Sequence, residues 1–154
     1  MHYFKPEISE FPVSDLFLHL QKYFSDTSAI RFFFSDTQNT VIRTDSNYLQ
    51  TIMHNLTANA VNALKNTPDP IIEWKAWQQN KDTFLSITDN GPGAVQGQLS
   101  ALYDETVSSG SRHGMGLHII RDLAKAINCR ISQPENSSPG TTFILTLSST
   151  TKSD

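Results

Sequence analysis

Along this chain the spacing of apolar residues changes several times, and each change marks an element. The first stretch, "FKPEISEFPVSD", is extended and punctuated by proline, and Ser14 or Asp15 is placed to cap a helix through "LFLHLQKYF". "AIRFFFS" and "TVIRT" then follow, rich in β-branched and aromatic residues, and the intervening "DTQN" suits a hairpin between them. From Asp45 to Asn66 the period becomes helical, with Leu49, Ile52, Met53, Leu56, Ala60, Ala63 and Leu64 on one apolar face, until Thr67-Pro68 ends it. "PIIEWKAW" and "TFLSITD" predict two antiparallel strands joined around "QQNKD".

Beyond a Gly-Pro-Gly turn, "VSSGSRHG" has no apolar pattern and reads as a mobile loop. The helix "MGLHIIRDLAKAI" follows, then a strand "CRISQ", a loop "PENSSPG" and a last strand "TTFILTLS". These elements predict an α/β (α+β) two-layer sandwich, a single domain over 1–154 with a lead-in segment over 1–12 and a frayed tail from 148 on.

Composition narrows the picture. A chain of 154 residues, 38% hydrophobic and 18% charged, is long enough for one core and short for two. Twelve basic against fifteen acidic residues leave a net charge of −3, which gives no general footprint for nucleic acid or an anionic membrane. Any phosphate must therefore be bound locally. The single cysteine, Cys129, excludes an internal disulfide and a cysteine-rich metal site, and fits a small buried apolar role in a reducing compartment. No segment has the run of apolar residues that a membrane span needs, and the start "MHYFKPEISE" lacks a basic leader followed by an apolar stretch.

Three patterns carry chemistry. On the long helix Thr51, Asn55, Asn59 and Asn62 fall within about 80° of arc beside the apolar face. Asparagine is a poor residue inside a helix, costing about half a kcal/mol relative to alanine. Such a stripe either faces water or gathers hard amide oxygens for magnesium and NH2 groups for phosphate. In "HGMGL" two glycines stand where a helix begins, a place where backbone N–H groups can approach a polyphosphate. In "ITDNGPGA" the acid Asp89 closes a strand just ahead of Asn90-Gly91, a dipeptide that would supply the positive φ angles of a tight turn without any acid. Asp89 thus either caps the turn or holds something.

In this order, "DSNYLQTIMHNLTANAVNAL", "DNGPG", "HGMGL" and "GTTF" resemble the N, G1, G2 and G3 boxes of the ATP-binding catalytic domain of bacterial sensor histidine kinases. That domain belongs to the superfamily that also contains gyrase, the Hsp90 chaperones and the MutL mismatch repair proteins. The resemblance runs from about Phe4 to Leu147. It implies the Bergerat fold, a mixed and largely antiparallel sheet of about five strands with three helices on one face. It also implies ATP and Mg2+ as ligands.

By the same resemblance, Asp89 accepts a hydrogen bond from the adenine amine, and Gly91 and Gly93 leave room for the base. Asn55 coordinates magnesium, while Asn59 and Asn62 belong to the nucleotide site. Gly114, Met115, Gly116 and Leu117 embrace the phosphates, Thr141 or Thr142 reaches adenine through water, and Arg112 neutralises phosphate charge in catalysis. The implied activity is transfer of the γ-phosphoryl group to a histidine on a separate dimerisation domain of a longer parent protein, which then serves a response regulator receiver domain. The expected location is cytoplasmic, with no nucleic-acid partner and no direct membrane contact.

Some positions depart from the family pattern. Asn62 and Ala63 stand where a lysine and an aromatic ring are common, and Thr51 stands where relatives carry Glu, Gln or His and cannot act as a general base near neutral pH. The F box is reduced to Tyr103, and Arg112 replaces the first glycine of a full G2 box, so a short lid and modest ATP affinity are expected. His2, His19, His54, His113 and His118 all lack the context of a phosphoacceptor histidine. An anti-sigma-type serine kinase and a degenerate, non-catalytic nucleotide-binding module therefore stay open as alternatives. A gyrase-like or Hsp90-like clamp is disfavoured by Thr51.

Overall fold

The computed structural model describes residues 5–26, 29–92, 115–134 and 140–148. Its elements run β1 (Ser9–Pro12), α1 (Val13–Phe24), β2 (Arg31–Ser35), β3 (Val41–Thr44), α2 (Ser46–Ala63), β4 (Ile71–Gln79), β5 (Asp82–Asp89), α3 (Met115–Ala126), β6 (Cys129–Ser132) and β7 (Thr141–Ser148). The main sheet has the order β2-β4-β5-β7-β6, parallel between β2 and β4 and antiparallel elsewhere. A second, two-stranded sheet pairs β1 with β3. The helices cover one face of the main sheet, which gives the α/β sandwich the sequence predicts.

Burial alternates along the central strands as one covered face requires. Ile72, Trp74 and Ala76 of β4, Leu85 and Ile87 of β5, and Phe143, Leu145 and Leu147 of β7 point into the core. Against them α2 lays Leu49, Ile52, Met53, Leu56 and Ala60, and α1 adds Leu16, Phe17, Leu20 and Phe24. Trp74 is wholly buried, so its indole N–H needs a partner; it donates to the Thr57 hydroxyl of α2 at 3.1 Å. Cys129 is buried as its composition suggested, and burial pushes its thiol pKa up to about 12.

Local chemistry sets the ends of α2. Asp45 is the N-cap: Oδ1 accepts from the Asn47 and Tyr48 N–H groups at 3.0 Å each, and Oδ2 accepts from the Glu7 N–H at 2.7 Å. The helix ends at Ala63, ahead of the expected Asn66, although turns continue it to Thr67. Between β4 and β5, Asn80 and Lys81 both take positive φ, which gives the hairpin its register of Gln79 opposite Asp82.

Two expectations need correction. The helix α1 begins at Val13 without a side-chain cap from Ser14 or Asp15; the Val13 N–H instead donates to the Thr40 carbonyl at 2.9 Å. More important, β2 and β3 do not form a hairpin. Asp36 accepts from the Thr40 N–H and hydroxyl, Asn39 takes a φ of 51°, and the chain is led away to pair β3 with β1. β2 runs parallel to β4, where Phe32 stacks on Trp74 at 5.4 Å and Phe34 meets Phe17 at 5.7 Å. Burial of those rings outweighs the local pairing that loop length alone would favour.

Candidate functional site

Asp89 is the last residue of β5 and lies between two strands, opposite Ile72 of β4 and Thr141 of β7. It is buried, and its Oδ1 accepts from the Gly91 N–H at 2.9 Å. Burial raises its carboxyl pKa above the ordinary value, and the N–H groups of Gly91 and Thr141 offset only part of that. Among the described residues, no basic side chain forms an ion pair with it.

Two glycines allow this arrangement. A Cβ on Gly140 would stand 2.0 Å from the Asp89 carbonyl oxygen, and Gly140 has a φ of +101°. A Cβ on Gly91 would stand 3.1 Å from Asp89 Oδ1 and 3.1 Å from a Leu64 methyl at the end of α2. One glycine lets a neighbouring strand pass the backbone of Asp89, and the other keeps space beside its carboxylate.

The threonines that open β7 divide between the faces of the sheet. Thr141 is buried on the side of Asp89, whereas the Thr142 hydroxyl lies 3.0 Å from that of Thr88 on the opposite face. The parity of "TTFILTLS", with Phe143, Leu145 and Leu147 inward, carries this signal already.

On α2 the amide stripe lies away from the buried face: Asn55 is half-buried and Asn59 and Asn62 are exposed. The Asn55 NH2 donates to the Thr51 carbonyl at 2.9 Å, which spends the donor on the helix and leaves the amide oxygen as its hard ligand atom. The Thr51 hydroxyl donates to the Asn47 carbonyl at 2.9 Å. A cavity of about 260 Å³ opens beside Thr51, lined also by His19, Tyr23, Gln50 and His54. His54 packs edge-on to Tyr23 at 4.3 Å, and burial, with a smaller effect of His19, lowers its imidazole pKa.

Gly93, Tyr103, Arg112 and Gly114 lie outside the described residues. Met115, Gly116 and Leu117 form the first turn of α3, the helix start predicted from "HGMGL". Among the described residues no group of three His, Cys, Asp or Glu side chains is placed to hold a metal, and no helix is long and apolar enough to cross a membrane.

Sequence reasoning missed Asn90. Neither Asn90 nor Gly91 takes positive φ. Instead the Asn90 side chain accepts from the Ile71 N–H at 2.7 Å and donates to the Asp69 carbonyl at 2.9 Å.

A family model for histidine kinase-, DNA gyrase B- and HSP90-like ATPases matches residues 44–151. Among curated relatives, the sensor protein RprX of Bacteroides fragilis (strain YCH46) is 27% identical over 119 residues, 73% of this chain; the chain spans only 23% of that relative's length. The catalytic domain of the histidine kinase ThkA superposes with a TM-score of 0.76 at 20% identity, covering 92% of this chain and 95% of that one. Full-length ShkA in complex with AMPPNP superposes with a TM-score of 0.79 at 18% identity, covering 95% of this chain and 32% of that one. The chain belongs to the histidine kinase-, DNA gyrase B- and HSP90-like ATPase family and has the fold of its histidine-kinase catalytic domains.

Proposed function

We propose that this domain binds Mg-ATP and, within a longer sensor kinase, donates the γ-phosphoryl group to a histidine on a separate dimerisation domain, from which a response regulator receiver domain is served. The observation that carries the nucleotide half of this reading is Asp89: a buried carboxylate without an ion pair among the described residues, closing a strand between two glycines. An ionised carboxylate there accepts from the exocyclic amine of adenine and repels the carbonyl that guanine presents at the same position. Thr141, on the same face, is the threonine proposed to reach the base through water.

The donor set suits magnesium, which takes few protein ligands and completes its shell with waters and substrate phosphates. The Asn55 amide oxygen is the proposed ligand, with Asn59 and Asn62 toward the phosphates one and two turns on. When bound, the metal would supply charge neutralisation at the phosphates. The start of α3, with Gly114, Met115, Gly116 and Leu117, would present backbone N–H groups to them, and Gly93 and Arg112 would complete the lid. Catalysis of such a transfer is mainly positioning and charge stabilisation. Thr51 is not a base and its hydroxyl is turned to Asn47, so deprotonation of the acceptor falls to the partner domain. The proposed location is cytoplasmic.

Calorimetric titration with ADP, ATP and GTP, with and without magnesium, on the wild type and Asp89→Asn tests the nucleotide site. Adenine-selective binding that depends on Asp89 is the expected result. Phosphotransfer to a matched histidine domain, lost in Asn55→Ala, tests the reaction; transfer unchanged by that substitution would overturn it. Thr51, engaged with the backbone where relatives carry Glu, Gln or His, favours, together with Asn62 and Ala63, a non-catalytic nucleotide-binding module. Such a module would bind ADP and transfer nothing.

A further inference from the structure

The strands β4 and β5 pair up to Ile72 and Asp89, the last register pair before the chain turns out of the sheet. One residue on, the backbone bond is long: the Asn90 N–H donates to the Ile71 carbonyl at 3.3 Å. The side chain supplies what the backbone lacks. Its Oδ1 accepts from the Ile71 N–H at 2.7 Å and its Nδ2 donates to the Asp69 carbonyl at 2.9 Å, so the amide stands in for one more peptide unit of strand.

The segment it grips is itself held. Asp69 sits at a φ of 52°, and both its carboxylate oxygens accept from Arg31 Nη2, at 2.8 and 2.9 Å. The Arg31 N–H also donates to the Pro70 carbonyl at 3.0 Å, joining β2 to the same corner. On the other flank, Gly140 lies so close that a Cβ there would stand 3.2 Å from the Asn90 Cα. The chain at residues 89 and 90 is therefore tied to the start of β4 by the Asn90 amide and bounded at β7 by a glycine.

We propose that Asn90 is a positioning residue for adenine selectivity: its amide fixes where the chain leaves β5 and so fixes the Asp89 carboxylate. This rests on the reading of Asp89 as the adenine acceptor. The carboxylate's bond to the Gly91 N–H is made one residue past Asn90 and follows wherever residue 90 is held. Only an amide of this length meets both partners. Aspartate keeps an acceptor for Ile71 but has no donor for the Asp69 carbonyl, and it sets a carboxylate oxygen against that carbonyl. Alanine keeps neither bond.

The test is titration of ADP and GDP into wild type, Asn90→Ala, Asn90→Asp and Thr57→Val, alongside thermal melts of each. Two neutral hydrogen bonds lost should weaken ADP binding by Asn90→Ala about tenfold. GDP binding should change little, so the ADP-to-GDP ratio collapses; Asn90→Asp should fall between alanine and wild type. Thr57→Val, which orphans the buried Trp74 indole N–H and so lowers stability away from the site, should leave the ratio intact, a contrast that loss of stability alone would not produce. An ADP-to-GDP ratio within twofold of wild type in both folded Asn90 variants overturns the inference. If Asn90→Ala does not fold, the ratio in Asn90→Asp decides. Wild-type protein that binds no ADP would overturn the adenine reading, and this inference with it; wild-type binding with unaltered Asn90 variants overturns the inference alone.

Discussion

Gly140→Ala concentrates most of the site's geometry in one methyl group. The added Cβ would stand 2.0 Å from the Asp89 carbonyl oxygen, about 1 Å inside the 3.0 Å below which such contacts do not occur. The neighbouring atoms at 3.1 and 3.2 Å, Asp89 C and Asn90 Cα, are also backbone, so no rotamer change relieves the clash. Residue 140 would also keep a φ near +101° or abandon it, and that conformation costs an L-residue on the order of 1–3 kcal/mol. Moving β7 away instead strains the pairing of Asp89 with Thr141, worth about 1 kcal/mol per hydrogen bond. A total near 3 kcal/mol corresponds to a loss of roughly 10 °C in Tm for a chain of this size. Scanning calorimetry gives the Tm, and ADP titration of the folded variant should show binding weakened at least about tenfold. A Tm within 2 °C of wild type, together with unchanged ADP affinity, would refute both the close approach and its bearing on the site.

Gly91→Ala should behave differently, because its Cβ meets the ends of side chains, Asp89 Oδ1 and a Leu64 methyl, each at 3.1 Å; the expected outcome is a loss under about 1 kcal/mol in urea denaturation but clearly weaker ADP binding. Thr57→Val keeps the volume but orphans the buried Trp74 indole N–H, and should cost about 1–3 kcal/mol in the same assay while ADP affinity holds. Asp89 sets a pH dependence whose sign is fixed. Its folded pKa lies above the unfolded one, so its contribution to stability is fully present below the ordinary 3.8 and is lost as pH rises through the raised folded value. Asp89→Asn should flatten that part of the stability profile. On the proposed reading adenine is held by the ionised form, so ADP affinity should fall as pH is lowered through the same value, and a wild-type affinity flat across that range would contradict the assignment.

Much of this was legible where a local rule decides the outcome. Asp45 followed by an unbroken helical period marks α2 and its cap, and the spacing of Asn55, Asn59 and Asn62 places them on one stripe. Partner choice was not legible, because β2 and β3 look like a hairpin until the burial of Phe32 and Phe34 around Trp74 is counted, and that is a tertiary sum. Asn90 was hidden for a related reason. The Asn-Gly dipeptide announces a positive-φ turn, yet here the positive φ values of the hairpin belong to Asn80 and Lys81, and the Asn90 amide serves as backbone to a strand nineteen residues earlier. The split between Thr141 and Thr142 was available from strand parity alone.

The strand that ends on an acid can now be weighed against its alternatives. If Asp89 served only to hold the turn, its bond from the Gly91 N–H would be met equally by an asparagine oxygen. Asparagine, being neutral, would also avoid the cost of burying a charge, which is what raises the carboxyl pKa. The fold therefore carries an unfavourable ionised group that its own hydrogen bonds only partly offset. A ligand that donates to the carboxylate removes that penalty on binding, and one that presents a carbonyl there increases it. The cost of Asp89 in the free chain and its proposed selectivity for an amine would thus have one origin, and Asp89→Asn should remove both together: a free domain no less stable near neutral pH, and one that no longer distinguishes ADP from GDP.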